Sequence, residues 1–97
     1  RTGFPAGTLI LKRFSKDPLL DQMAFKYPHL RALADALPQK KFLLFGDSGE
    51  KDPEIYARLR SELPSRVEQI FIHLVTDEPK DSSRFFGMRV FKDWTEL

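Results

Sequence analysis

The sequence predicts one α/β domain built on a parallel sheet, and three observations carry that prediction. Short apolar runs at residues 8–14, 42–45 and 67–75 read as buried strands. Two amphipathic stretches lie between them, one from Pro28 and one from Asp52, which gives the order β-α-β-α-β. Parallel strands need a long connection, and a right-handed crossover helix supplies it. The length of 97 residues suits a single domain.

The first run, T-L-I-L-K-R-F, follows the turn formers Gly3, Pro5 and Gly7, and a loop through Asp17 and Pro18 ends it. From Pro28 onward, Leu30, Leu33, Ala34 and Leu37 fall on one helical face. Pro28 is placed in the first turn of that helix, where a missing N–H costs nothing, and Pro38 ends it. The run F-L-L-F at 42–45 is continuously apolar, as expected of a strand covered on both faces. The turn Gly46-Asp47-Ser48-Gly49 follows it. Asp52 then reads as an N-cap with Pro53 at the first helical position, and Ile55, Tyr56, Leu59 and Leu63 continue the apolar stripe until Pro64. After the third strand, Asp77 and Pro79 open a loop. Met88 to Phe91 reads as a short strand and the last five residues as a helical turn packed through Trp94.

Composition narrows the function. Hydrophobic residues make up 41% and charged residues 31%, so a packed core is expected rather than a disordered tail. Sixteen basic residues against fourteen acidic ones give a net charge of +2, too small an excess for a nucleic-acid footprint. The small clusters Lys12, Arg13, Lys16 and Lys40, Lys41 read as solvated surface. There is no cysteine, which excludes disulfides, thiolate metal sites and cysteine nucleophiles. No apolar run approaches the roughly twenty residues that span a bilayer, so the chain is expected to be soluble. It starts at Arg1 in what reads as a loop, which suggests a piece of a longer protein.

Ligands of open α/β sheets sit beyond the carboxyl ends of the strands, which selects residues 46–52. Asp47 follows a buried strand and Asp52 begins a helix, so both carboxylates can face one crevice, and Gly46 and Gly49 permit a tight turn. Such oxygen ligands suit Mg²⁺, which takes one or two carboxylates, waters and a substrate phosphate. Ser48 and the N–H groups at the helix start could bind phosphate oxygens. The plainer reading makes Asp47 and Asp52 a turn residue and a cap. D-S-G-E-K-D does not match an EF-hand loop, and no Walker motif occurs. Lys26, placed just before the first helix, could reach the same crevice as a phosphate-neutralising ammonium or be a surface lysine. His29 and His73 have no catalytic partners at local spacing, and Phe25, Tyr27 and Phe45 read as packing residues.

Three stretches together carry a resemblance: G-F-P-A-G-T-L-I-L at 3–11, the segment around Lys26, and F-L-L-F-G-D-S-G-E-K-D-P-E-I-Y at 42–56. They resemble the phosphatidate phosphatase catalytic domain of the actin-patch-associated type, in the haloacid-dehalogenase-like superfamily. The resemblance runs from Gly3 to about Val75, and G-D-S-G-x-x-D-P-E-I-Y is its most specific part. It implies that Lys26 is the catalytic lysine holding the phosphoryl group. It also implies that Asp47 is a Mg²⁺ ligand, that Asp52 is the second acidic residue of that motif, and that Ser48 and Gly49 shape the phosphate loop. The family's reaction begins with an aspartate in a D-x-D-x-T strand end, and the chain contains no D-x-D. The resemblance therefore implies the carboxyl-terminal half only of a haloacid-dehalogenase-like Rossmannoid domain. The missing amino-terminal half would be the partner, and its strands would lie between the ones seen here.

The function expected on this basis is Mg²⁺-dependent hydrolysis of a phosphate monoester, phosphatidate above all, through an aspartyl-phosphate. The complete domain would be a phosphoric monoester hydrolase, cytoplasmic and peripheral to membranes, and this chain alone would be inactive. The alternative is a catalytically silent module that binds phosphatidate or phosphate, and a plain α/β interaction domain is the third reading.

Overall fold

The alternation of apolar runs and amphipathic stretches becomes a four-stranded parallel sheet in the order β1-β2-β3-β4. The computed structural model describes residues 7–11 and 22–97, with side chains of the first helix from Lys26 onward. Its elements are β1 (Thr8–Leu11), α1 (Gln22–Ala36), β2 (Lys41–Asp47), α2 (Asp52–Glu62), β3 (Val67–His73) and β4 (Arg89–Phe91). Two 3₁₀ turns, Ser83–Phe85 and Trp94–Glu96, complete them. The expected turn at Gly3 and Pro5, the cluster Lys12, Arg13, Lys16 and the loop at Asp17 and Pro18 lie outside the described residues.

Register decides which side chains meet the helices. Leu9 pairs with Phe42 and Leu11 with Leu44, and Leu44 pairs with Ile70. Because side chains alternate across a strand, these residues share one face. That face packs against Tyr27, Leu30 and Ala34 of α1 and Ile55, Tyr56 and Leu59 of α2. Phe42, Leu44, Leu59 and Ile72 are fully buried, each contributing roughly 1.5–3 kcal/mol over its exposed state. On the opposite face Leu43 is buried, and the cover thins towards the carboxyl end of the strand. Phe45 and Phe71, both half-buried, stack there with centroids 4.5 Å apart. His73, Phe91 and the exposed Trp94 form an aromatic group at the β3–β4 edge.

Several sequence expectations are revised. Helix α1 starts six residues before Pro28, so this proline lies inside the helix rather than in its first turn. Its ring removes the N–H that would bond the Ala24 carbonyl. Lys26 consequently stands within α1, not before it. The intervening strands implied by the resemblance are not needed to close this sheet, because β1 pairs directly with β2 from Thr8↔Lys41 to Leu11↔Leu44. The predicted last strand and terminal turn are present as β4 and the 3₁₀ turn after Asp93.

Two polar devices hold the helices. The Tyr27 hydroxyl donates to Glu62, Arg31 reaches the same carboxylate at 2.7 Å, and the Arg58 guanidinium lies 4.0 Å from the Tyr27 ring centre. Burial and the bond to Glu62 push the Tyr27 hydroxyl above its ordinary pKa. At the other end of α1, Arg66 donates to the carbonyls of Ala34, Leu37 and Lys40 at 2.9, 2.6 and 2.6 Å. The last carbonyls of a helix lack intrahelical partners and carry partial negative charge, so Arg66 closes α1 from the start of β3.

Replacing Arg66 with Ala is expected to cost about 2 kcal/mol or more. The measure is the urea midpoint, and an unchanged midpoint would show that water satisfies those carbonyls equally well. A pH effect is expected at the last turn, where Glu96 accepts from Lys80, Asp93 N–H and Lys92 N–H. The Lys80 bond leads these in lowering its carboxyl to about 2, from an ordinary 4.5. A depressed carboxyl contributes stability above its unfolded value, and that contribution is lost as pH falls from about 4.5 towards 2. Trp94, the sole tryptophan, reports this turn. Its fluorescence transition in acid is expected to flatten in Glu96→Gln, and an identical acid profile in the variant counts against the assignment.

Candidate functional site

Strand β2 ends in Gly46 and Asp47, and α2 starts five residues later with Asp52. Gly46 lies on the helix-facing side of β2, and a Cβ built there would come within 2.4 Å of the Asp52 Cβ and 2.6 Å of its Oδ2. Only a residue without a side chain leaves this space, and the Asp52 carboxylate fills it. Asp52 is 1% exposed, and its Oδ2 accepts the Asp47 N–H at 3.1 Å. Its Oδ1 lies 3.4 Å from Lys26 Nζ. Burial dominates its ionisation and raises its pKa, against the lowering pull of the Asp47 N–H and Lys26. The sequence places Asp52 at the N-cap, but that position is Lys51, and Pro53 is the second helical residue. The Asp52 carboxylate turns back to the strand end instead of capping its own helix.

Lys26 is 4% exposed, so the surface-lysine reading does not hold. Its ammonium meets Asp52 and, more closely, Glu50 Oε1 at 2.7 Å. Asp47 is half-buried, and its Oδ1 accepts the Gly49 N–H at 3.0 Å, which tightens the turn. Ser48 is buried. Its hydroxyl contacts Thr76 Oγ1 and accepts the Val75 N–H, both at 2.9 Å, while its own N–H bonds the His73 carbonyl. Ser48 thus stitches the turn to the end of β3, with its hydroxyl committed inward. The structure brings Lys26, Asp47 and Asp52 together, with Ser48 and Gly49 forming the turn between the acids. His73 is the register partner of Asp47 and its backbone carbonyl accepts the Ser48 N–H, but its ring is turned towards β4. His73 Nε2 lies 3.1 Å from the Lys92 carbonyl and its ring stacks on Phe91.

Two residues at the site went unrecognised in the sequence. Glu50 holds Lys26, and Arg84 clamps the turn from the far side. Arg84 reaches the Ser48 and Glu50 carbonyls at 2.9 Å, both oxygens of Glu54 at 2.7 and 2.9 Å, and Glu78 at 2.7 Å. Every N–H of the guanidinium finds an acceptor. Burial works to raise the Glu54 carboxyl, but the bonds from Arg84 and from its own backbone outweigh it and hold the pKa below the usual range. Apart from Glu78, six residues from Arg84, these partners lie 24 to 36 residues apart in the chain, so local spacing does not reveal them. Ser48, Gly49, Glu50, Lys51, Glu54 and Arg84 line an open cleft of about 400 Å³, and Glu50 connects it to the buried Lys26–Asp52 pair.

Among the described residues no group of three or more His, Asp or Glu could hold a metal ion. Asp47 and Asp52 remain as a pair of hard oxygen donors on one turn, a set that fits Mg²⁺, whose remaining positions water and phosphate fill. Both Asp52 oxygens already carry hydrogen-bond partners, so Asp52 would have to give one up to bind a metal directly.

Gly46→Ala is expected to cost about 1–3 kcal/mol through the clash with Asp52. In an Asp52→Ala background the same change should cost much less. A double-mutant cycle on unfolding free energies measures this, and additive costs would refute the coupling.

The family model described as phosphatidate phosphatase APP1, catalytic domain, matches residues 1–74, ending one residue after β3. Phosphatidate phosphatase APP1 of Saccharomyces cerevisiae is 30% identical over 82 residues, which is 80% of this chain and 14% of that protein. The chain therefore spans about a seventh of the length of this curated relative. No solved structure matches. The likeness is not a carboxyl-terminal half, as the sequence reading had it. It occupies the amino-terminal majority of the chain, from residue 1 through β1, α1, β2, α2 and β3, and leaves β4 and Arg84 outside. The chain belongs to the family of the phosphatidate phosphatase APP1 catalytic domain.

Proposed function

We propose that this chain takes part in Mg²⁺-dependent hydrolysis of a phosphate monoester, with phosphatidate as the substrate, in a haloacid-dehalogenase-like fold. The observation that carries this reading is the Lys26 ammonium buried beside the acidic turn at the carboxyl end of a parallel strand. Lys26 would offset charge on the phosphoryl oxygens, worth most where water is excluded. Asp47 would hold Mg²⁺ directly, and Asp52 would do so directly or through a water. Gly49 and Ser48 keep the turn in shape through the bonds to Asp47, Thr76 and Val75. Bound Mg²⁺ would supply charge neutralisation on the phosphoryl group. The bond-making aspartate that the resemblance implies has no D-x-D to occupy in these 97 residues. We therefore assign the chain binding and positioning without the covalent step. The absence of D-x-D also favours the second reading, a silent phosphatidate-binding module.

Mg²⁺ is expected to raise the melting temperature of the 97-residue chain, by about 2.7 kcal/mol of linkage at a hundredfold excess over its Kd. Asp47→Asn should abolish that rise, and a rise that survives the substitution removes Asp47 from the metal. Flotation with vesicles of graded phosphatidate content tests the lipid, and indifference to that content argues against it. Mg²⁺-dependent phosphatidate turnover by this chain would overturn the assignment of the covalent step elsewhere.

A further inference from the structure

Arg84 divides its N–H groups between two carboxylates and two backbone carbonyls, and that division gives it a reach beyond the bonds themselves. Its Nε and Nη2 grip both oxygens of Glu54, in the first turn of α2, at 2.7 and 2.9 Å, and Nη1 adds Glu78 at 2.7 Å. The guanidinium is thereby fixed to the helix that also carries Asp52. Its other two donors go to the turn, where they meet the Ser48 and Glu50 carbonyls at 2.9 Å each. The Ser48 carbonyl and the Gly49 N–H belong to one planar peptide unit and point to opposite sides of it. Arg84 holds this plane by its oxygen, and Asp47 Oδ1 accepts from its nitrogen at 3.0 Å. One rigid plane therefore links the guanidinium to the Asp47 carboxylate, and a cationic donor on the carbonyl also strengthens the N–H on the other side.

We propose that Arg84 is a positioning residue for the metal: acting through the Ser48–Gly49 peptide, it holds the Asp47 carboxylate in the orientation that binds Mg²⁺. This rests on the reading of Asp47 as a Mg²⁺ ligand. Carboxylates that ligate metals are commonly hydrogen-bonded in turn, and loss of such an outer partner weakens metal binding roughly 10–100-fold. The charge of Arg84 acts in the opposite sense. A guanidinium near a cation repels it, and removing the guanidinium leaves Glu54 and Glu78 uncompensated, which attracts one. Lysine at this position keeps the charge and loses the planar fork. Its three donors go to the charged acceptors, Glu54 and Glu78, and leave the two neutral carbonyls of the turn unheld. Arg84 lies beyond the residues that the family model matches, so this role makes the segment after β3 part of the metal site.

The test is titration of the 97-residue chain with Mg²⁺ alone, followed by amide NMR, together with hydrogen exchange of the same amides without metal. In the wild type the Gly49 amide is expected to exchange at least about tenfold more slowly than an unstructured amide. In Arg84→Lys that protection should be lost, while Leu44 and Ile70, register partners in the β2–β3 ladder, keep theirs. The Kd for Mg²⁺ should rise about tenfold or more in the same variant. An arginine with a purely structural role would lower stability without moving the Kd of the folded chain. Binding of Mg²⁺ by Arg84→Lys as tight as by the wild type therefore overturns the positioning role. So does a Gly49 amide that exchanges freely in the wild type, a result that needs no variant to fold. Asp47→Asn separates this role from the metal reading. If the wild type binds Mg²⁺ no more tightly than Asp47→Asn, the Asp47 reading fails and the positioning role with it. If Asp47→Asn loses the metal and Arg84→Lys keeps it, Asp47 stands as the ligand and the role of Arg84 alone is refuted.

Discussion

The burial of the Asp52 carboxylate against Gly46 is the constraint on which the other features of this molecule turn. A carboxylate 1% exposed is costly unless its oxygens are satisfied, and here each has a donor, Lys26 on one side and the Asp47 N–H on the other. The Asp47 bond requires the strand end and the helix start to stay together. The Lys26 bond requires α1 to sit where its ammonium can reach across. Helix α1 is placed by its own packing through Tyr27, Leu30 and Ala34, by the Tyr27–Glu62 link to α2 and by Arg66 at its far end. A residue 40 positions from Lys26 thus helps to keep an ion pair intact. Removing one partner of such a pair leaves the other buried and uncompensated, which costs more than the pair itself contributes.

The turn between the two acids is specified from outside itself. Ser48 is tied to Thr76 and Val75, and Arg84 binds the Ser48 and Glu50 carbonyls while resting on Glu54 and Glu78. Arginine suits this task because its planar fork addresses several acceptors in fixed directions, which an ammonium cannot do. All of these anchors except Glu54 lie beyond residue 74, where the family match ends. The segment after β3 therefore belongs to the working structure of the turn, and its aromatic group around Phe91 docks that segment on the sheet edge.

The order of elements was legible because burial leaves a direct imprint on sequence. F-L-L-F and the start of I-F-I-H-L-V read as covered strands, although the latter strand ends at His73 and Val75 is exposed, and the stripe Ile55, Tyr56, Leu59 marks the face of α2 that meets them. The start of α1 was not legible, since Pro28 carries a strong local signal for a helix beginning and tertiary packing overrides it. The same conflict appears at Asp52 and Pro53, where the expected capping carboxylate accepts from the Asp47 N–H instead of from its own helix. The proximity of Asp47 and Asp52 was legible because the motif run keeps the two acids close, whereas Lys26 reads as an ordinary surface lysine without the family resemblance. Glu50 and Arg84 could not be named in advance. Their roles come from contacts between segments far apart in the chain, and a lone Glu or Arg in a polar turn has many other uses.

Charge explains why a site of this kind needs more than its lysine. Lys26 faces Glu50 and Asp52, with Asp47 on the same turn, so with these four ionised they carry −2 between them. Approach of a phosphate dianion to such a cluster is unfavourable at the distances involved, even at an effective dielectric near 20. Three changes can offset that charge: protonation of Asp52, which its burial favours; displacement of Glu50 into the cleft; or a divalent cation beside Asp47. The second moves negative charge only a few ångströms, and the first removes the partner that Lys26 needs. The cation alone supplies enough positive charge without dismantling the Lys26–Asp52 pair. This is the electrostatic argument for the Mg²⁺ proposed at this turn, where metal and phosphate would support one another's binding.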